Sequence, residues 1–364
     1  LYPQSFINMS SNDTRQHIIN HNASLIEALE KLNNLPGNEM TLFVEDDDHR
    51  IIGTLTDGDI RRSLLAGLGT DSDVFRATHR DFRRLRRGNI DLDMIRSCRE
   101  RGINVLPVLD SEDRLTDIIN LNVRHTILPV SAILMAGGKG ERLRPMTLDT
   151  PKPLLEIEGK AIIDYNIEAL AACGINDITV CTRYLSEKIF DHFSAPVAGV
   201  DVRCIREDRP LGTLGAASLI SHRPGGATVV MNSDLLTSLS FEDLYMRHIS
   251  ENADITVAVI PYQVSVPYAI LTTEGRRVTG IEEKPAYSYY ANAGIYLISN
   301  NLLNTLNKDE RIDATDFIQN AIAGGSKVVF FPVNGTWIDV GSPVDFRQAT
   351  EIMRHHRNMS LNNK

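Results

Sequence analysis

A chain of 364 residues is longer than one hydrophobic core usually organises, so two domains are expected. Its 42% hydrophobic content is ordinary for a globular protein, and its net charge of −9 argues against a nucleic-acid partner, which calls for a cationic surface. No apolar run approaches the ~18 residues of a membrane span, and no signal-peptide layout opens the chain, so a cytoplasmic protein without a membrane partner is expected.

The chain opens on Leu1; Met9 is the more natural start, and residues 1–8 are left out of the fold reasoning. Leu25, Ile26, Leu29 and Leu32 recur at helical spacing, and an apolar strand around Leu42-Phe43-Val44 leads through an acidic turn to Ile51. The same order returns at an offset of 64 residues, which sets Leu42 on Leu106 and Ile51 on Leu115, with Ile90, Met94 and Ile95 as the second helix stripe. Internal repetition of this kind marks a duplicated supersecondary unit. Each copy reads as helix, strand, turn, strand and a further helix.

Within the first copy lies Gly53-Thr54-Leu55-Thr56-Asp57-Gly58-Asp59. Read from the residues alone, Thr56 is a helix N-cap, with Asp57 and Asp59 favouring the helix dipole. The segment also resembles the ligand motif of CBS domains, and the repeat resembles a tandem CBS pair over 14–128, with copies at about 14–75 and 76–128. That resemblance implies an adenine nucleotide as regulatory ligand, with Thr56 on phosphate and Asp59 on ribose hydroxyls. In the second copy Asn120 and Val123 stand at those positions, so the ribose carboxylate is expected once only. Arg76, His79, Arg80, Arg83, Arg84, Arg86 and Arg87 form a basic cluster that suits nucleotide phosphates, an acidic partner or plain solvation. Pro129 marks a short junction without a Gly/Ser spacer.

Ala132-Ile133-Leu134-Met135 then reads as a buried strand that ends at Ala136 in Gly137-Gly138-Lys139-Gly140-Glu141-Arg142. Glycines let backbone N–H groups approach an anion, and the cations add charge-assisted donors, so this is a phosphate-binding loop by composition. It is neither a Walker A loop nor a Rossmann G-x-G-x-x-G. Together with Leu143-x-Pro145-Met146-Thr147 and Pro151-Lys152-Pro153, the string closely resembles the signature of the sugar-phosphate nucleotidylyltransferases, and the resemblance runs over about 131–357.

The remainder alternates strand and helix. Ile162 to Ala171 shows helical spacing up to Gly174, and 178–180, 200–205, 227–231, 255–260, 278–281, 295–298 and 328–331 read as strands. The pattern is that of an α/β domain with a Rossmann-like mixed sheet, helices on both faces and ligands beyond the strands' carboxyl ends. Glu207 to Ala216 reads as a turn opening a helix. Asp234 and Asp339 each end an apolar run, and two convergent carboxylates suit Mg2+ held partly by phosphate oxygens. The histidines, His355 and His356 among them, read as surface residues, and Cys98, Cys173, Cys181 and Cys204 as free thiols.

The family resemblance assigns roles residue by residue. It puts the nucleotide on Ala136, Gly137, Gly138, Gly140, Glu207, Leu211, Gly212 and Thr213, and the sugar on Glu283, Asn292 and Gly294. Arg142 is to meet the pyrophosphate side, Lys152 the transferring phosphates and Lys284 the sugar phosphate, with Asp234 and Asp339 on Mg2+. The implied reaction joins an NTP to a sugar 1-phosphate with release of pyrophosphate. The combination with a CBS pair most resembles the guanylyltransferases of legionaminic acid biosynthesis, which implies GTP, glucosamine 1-phosphate and a homo-oligomer. Another sugar (mannose, a heptose, glucose) and a regulatory pseudoenzyme that binds nucleotide-sugars are the competing readings.

Overall fold

The computed structural model describes residues 14–35, 40–86, 90–221, 223–308 and 310–362; Arg87 of the basic cluster lies outside them. The chain divides into two compact units, residues 1–128 with 172–174, and residues 129–171 with 175–364.

In the first unit, β1 (Ile18–Asn20), α1 (Leu25–Asn33), β2 (Thr41–Glu45), β3 (Ile51–Thr56) and α2 (Asp57–Leu65) form the first copy. The second copy follows with β4 (Leu85–Arg86), α3 (Leu92–Glu100), β5 (Val105–Leu109) and β6 (Leu115–Asn120). Both hairpins bulge at the same place, between Val44 and Glu45 and between Val108 and Leu109. Both turns are built on an aspartate, Asp46 or Asp110, whose carboxylate accepts the N–H groups two and four residues on. The repeat is therefore one of backbone geometry as well as of residues. Phe43 and Ile51 pack with Val105, Leu109 and Ile118, which joins the copies in one core.

The copies part after their last strand. Thr56 and Asp59 close a capping box that starts α2, whereas Asn120 accepts the Asn122 N–H at 2.9 Å and turns the chain at Leu121–Val123. The helix expected there does not form: Val123 supplies no acceptor at the third position to complete a cap.

The second unit is built on a seven-stranded sheet whose strands lie in the order Arg203–Arg206, Ile178–Thr182, Val130–Ala136, Ala227–Asn232, Ala286–Ser299, Ile255–Ser265 and Val328–Pro332. Its first strand is β7 (Val130–Ala136), an apolar run buried on both faces, as expected for a central parallel strand. Two short strands, β8 (Glu156–Ile157) and β9 (Lys160–Ala161), lead to α4 (Ile162–Ala172), β10 (Ile178–Thr182), α5 (Ser186–His192) and β11 (Arg203–Arg206). Next come β12 (Ala227–Asn232), β13 (Leu235–Thr237), α6 (Phe241–Ser250) and β14 (Ile255–Ser265). A hairpin of β15 (Ile270–Glu274) and β16 (Arg277–Glu282) precedes β17 (Ala286–Ser299), α7 (Asn300–Leu303) and α8 (Ala314–Ala323). The chain closes with β18 (Val328–Pro332), β19 (Trp337–Asp339) and α9 (Pro343–Asn362). Only β17 runs antiparallel to its neighbours in the main sheet, so the fold is the expected mixed α/β sheet.

Several local expectations change. The strand expected at 200–205 starts only at Arg203, after a bridge between Val197 and Val200. The strand expected at 278–281 forms, but pairs in the separate β15–β16 hairpin. The segment 207–216 opens no α-helix: the Leu214 and Gly215 amides donate to Ile312 O at 3.2 Å, which removes them from a helical ladder, and only a 3₁₀ turn at Gly215–Leu219 follows. Nor are all histidines on the surface. His17 and His248 are buried, with His17 at Thr41 O and His248 on the Thr256 hydroxyl, partners distant in sequence.

Candidate active site

The parallel strands β7, β10 and β12 end on one side of the sheet, and the polar motifs gather there. Beyond β7, Gly140 takes a left-handed φ of 61° and turns the chain back, while the Thr147 hydroxyl donates to Gly140 O at 2.7 Å and pins the loop. The turn delivers Lys152 on a short 3₁₀ segment with its side chain almost wholly buried.

Asp234 and Asp339 come together because β13 and β19 pair antiparallel with Leu235 opposite Asp339, and Val340 N–H closes the ladder on Asp234 O at 3.2 Å. Lys152 Nζ donates to Asp234 Oδ2 and lies 3.4 Å from Asp339 Oδ1. Three residues from distant segments thus converge on one point. Asp234 Oδ1 is buried with no hydrogen-bond partner. Two carboxylates, one with an unsatisfied oxygen, form the donor set that Mg2+ takes when phosphate oxygens and water complete its shell. Among the described residues no three carboxylate, histidine or cysteine side chains cluster as a self-sufficient metal cage.

Two residues fix Asp234, of which Asn166 went unnoticed in the sequence. Ser233, buried beside it, donates its hydroxyl to Met135 O at 2.7 Å, tying the end of β12 to β7. Asn166 of α4, also buried, donates its amide to Leu235 O at 3.0 Å and to Ser233 O at 3.4 Å, so the aspartate's backbone is held from both sides. Arg142 is exposed, and its guanidinium lies 3.0 Å from where a Cβ on Gly341 would stand, two residues beyond Asp339.

Glu207 is 5% exposed, with Oε1 2.7 Å from the position of a Cβ on Gly137, so any side chain there would collide with the carboxylate. Its Oε2 accepts the Leu211 N–H at 3.2 Å. Burial pushes its carboxyl above the ordinary range, against the opposing pull of that N–H and of Arg183. Gly212 and Thr213 continue the strap of chain that runs on from Glu207 and Leu211. The Thr213 hydroxyl accepts from Ala314 N–H at 2.8 Å and its own N–H donates to Asp313 at 2.9 Å, so the threonine side chain serves the start of α8.

Glu283 and Lys284 lie exposed in the turn between β16 and β17, with no hydrogen bond to the aspartate pair. Asn292 braces the base of β17: its carbonyl accepts Gly294 N–H at 2.9 Å and its amide donates to Tyr296 at 2.7 Å. The indole N–H of Trp337 donates to Ala293 O at 2.9 Å, which links this segment to the strand bearing Asp339. Neither the Asn292 and Tyr296 pair nor the Trp337 contact was legible in the sequence: the expected strand began at 295, and Gly294 with a φ of 71° interrupts the regular strand between Asn292 and Tyr296.

The Nucleotidyl transferase family model matches residues 131–356 of the chain. The chain belongs to the nucleotidyl transferase family. A CBS domain model matches residues 13–66. This family member is 31% identical over 233 residues to the mannose-1-phosphate guanyltransferase of Gibberella zeae, covering 61% of this chain and 63% of the relative. It is 29% identical over 230 residues to the D-glycero-alpha-D-manno-heptose 1-phosphate guanylyltransferase of Aneurinibacillus thermoaerophilus, covering 62% of this chain and 100% of the relative. The chain spans about three fifths of the length of the mannose-type relatives it matches. Among solved structures, HddC from Yersinia pseudotuberculosis complexed with GMP-PN aligns with a TM-score of 0.48 and 25% identity, over 62% of this chain and 99% of that one.

In the first unit, Thr56 and Asp59 line a cavity of about 660 Å³ with Arg62, His79, Arg83 and Arg101. The Asp59 carboxylate accepts from the Thr56 hydroxyl at 2.6 Å and from Arg62 at 2.5 Å, which is the structural counterpart of the cap reading. The basic cluster is divided. Arg80 lies over Phe75, Arg84 over Phe82, Arg86 pairs with Asp113 at 2.6 Å and Arg76 is exposed away from the cavity lining, to which His79 and Arg83 contribute. Among the described residues no helix is long and apolar enough to cross a membrane.

Proposed function

We propose that this chain transfers a guanylyl group from GTP to a sugar 1-phosphate and releases pyrophosphate. The observation that carries this reading is the convergence of Lys152, Asp234 and Asp339 beside the glycine loop. A phosphate oxygen of the sugar attacks the α-phosphorus of GTP in line and the pyrophosphate departs, a reaction that calls for positioning and charge neutralisation and no protein nucleophile. Arg142, exposed beside Gly341, takes the departing pyrophosphate, and Lys152 the transferring phosphoryl oxygens. Mg2+ bound by Asp234 and Asp339 would supply neutralisation of the triphosphate. Glu207 is the base reader, and Glu283, Lys284, Asn292 and Gly294 form the wall against which the sugar and its phosphate lie.

Both relatives named above carry guanylyltransferase names, which supports the nucleotide assignment. The sugars in their names, mannose and a manno-heptose, stand beside glucosamine 1-phosphate, the acceptor implied by the likeness to legionaminic acid enzymes, as the three acceptors to compare. The cavity lined by Thr56 and Asp59 is the proposed seat of an adenine nucleotide that regulates the enzyme. Pyrophosphate release by the wild type, Asp234→Ala and Asp339→Ala tests the site. Loss of about 100-fold or more in turnover with unchanged circular dichroism is expected of each variant. Near-normal turnover in either would remove that aspartate from the reaction.

A further inference from the structure

Lys152 stands where two of the proposed roles collide. Its ammonium donates to Asp234 Oδ2 and lies 3.4 Å from Asp339 Oδ1, so it bridges the same two carboxylates that are to hold Mg2+. A lysine only 9% exposed has to be paired, and here its charge is answered by that pair. An ammonium and a divalent ion serve the carboxylates in the same way, by neutralising them. They cannot do so together at low cost. Mg2+ takes its oxygens at about 2.1 Å, so an ion on both aspartates would stand within about 5 Å of Lys152 Nζ, where two cations in a poorly solvated site repel strongly.

The contact is also not that of a finished structural ion pair. A buried pair that serves stability alone has its remaining lone pairs satisfied, yet Asp234 Oδ1 is buried without a hydrogen-bond partner while Lys152 holds the other oxygen of the same carboxylate. The carboxylates themselves are fixed. Asn166 holds the carbonyls on either side of Asp234, the Ser233 hydroxyl ties its strand end to Met135 O, and Asp339 lies in the β13–β19 ladder. Lys152 reaches them on a flexible four-carbon stem from a 3₁₀ segment of three residues, so the lysine is the partner that can move. We propose that Lys152 is the resident counter-ion of Asp234 and Asp339, that it keeps a divalent ion off the pair, and that triphosphate oxygens draw the ammonium away as the ion enters with them. Lys152 thereby sets an order in which the ion binds tightly only in company with the nucleotide. This rests on the proposed metal site, and the test separates the two.

Uptake of Mn2+, a paramagnetic stand-in for Mg2+, by the full chain without nucleotide is read from the electron paramagnetic resonance signal of the free ion. Lys152→Met is expected to bind Mn2+ at least tenfold more tightly than the wild type, and Lys152→Met/Asp234→Ala to lose that gain. A second readout is thermal. Mg2+ alone should raise the Tm of Lys152→Met, whose carboxylates have lost their counter-ion, and leave that of the wild type nearly unchanged. Should the methionine variant fail to fold, Lys152→Gln carries the same expectations. Equal Mn2+ affinity in the wild type and Lys152→Met, or a gain that survives Asp234→Ala, would overturn the proposal. Tight uptake by the wild type without nucleotide, abolished by Asp234→Ala, would overturn the counter-ion and leave the metal site standing. No uptake dependent on Asp234 in either protein, even with a GTP analogue carrying a methylene bridge between its α- and β-phosphates, would overturn both.

Discussion

In the proposed reaction Glu207 is the residue that selects the nucleotide. Guanine offers N1–H and its exocyclic amino group side by side, which a carboxylate accepts together; uracil and thymine offer one N–H between carbonyls, and a carboxylate there meets an acceptor. Mismatched buried polar groups cost about 1–3 kcal/mol, so Glu207→Gln should lower the preference for GTP over UTP roughly ten- to hundredfold, read from kcat/KM with each nucleotide. A selectivity unchanged in the variant would assign Glu207 to the strap alone, where it already accepts the Leu211 N–H. The same residue predicts a pH effect. Burial raises its carboxyl above the unfolded value of 4.5, so its contribution to folding is fullest below that pH and is lost as pH rises through the raised value. Glu207→Gln should therefore melt higher than the wild type at neutral pH, with the gap closing as the solution is acidified toward 4.5; a gap independent of pH would contradict the assignment. At this scale the sequence was legible where a motif carries a residue type, as at Lys152, Asp234 and Asp339. It was silent on Asn166, whose partners stand 67 and 69 residues away and exist only once α4 packs under β13.

At the scale of elements, α4 acts on the site through that asparagine. Asn166→Leu keeps much of the helix face but leaves the Ser233 and Leu235 carbonyls without their donor, at about 1–3 kcal/mol, and for a unit of this size each kcal/mol lowers Tm by about 2–4 °C. The expected result is a lower Tm together with a fall in kcat, since Asp234 is no longer held from both sides. A lower Tm with normal kcat would make Asn166 purely structural. In the other unit, Asp59→Ala removes the capping box and the Arg62 partner together, which costs roughly 1 kcal/mol of stability and should weaken AMP or ATP binding in calorimetry. If the folded wild type takes up neither nucleotide, the CBS cavity has no adenine ligand. The strands were legible because buried parallel strands are short continuous apolar runs; the 207–216 segment was not, because its amides answer to Ile312, a residue about a hundred positions on.

For the whole molecule, the repeat in the first 128 residues was legible because its turns reuse the same aspartate at the same offset, and the mixed sheet because its strands alternate with helical patterns. Family membership fixes the architecture of residues 131–356, and the proposed reaction rests on the convergence of Lys152, Asp234 and Asp339. The most direct test is the initial rate of pyrophosphate release by the full chain with Mg2+, for GTP, UTP, dTTP, CTP and ATP against glucosamine, mannose, manno-heptose and glucose 1-phosphates, with the product mass recorded. Release with GTP and a sugar 1-phosphate, accompanied by the matching GDP-sugar and exceeding every other nucleotide, is the predicted result; no release in any combination, or a preference for UTP, dTTP, CTP or ATP, would contradict the guanylyltransferase assignment.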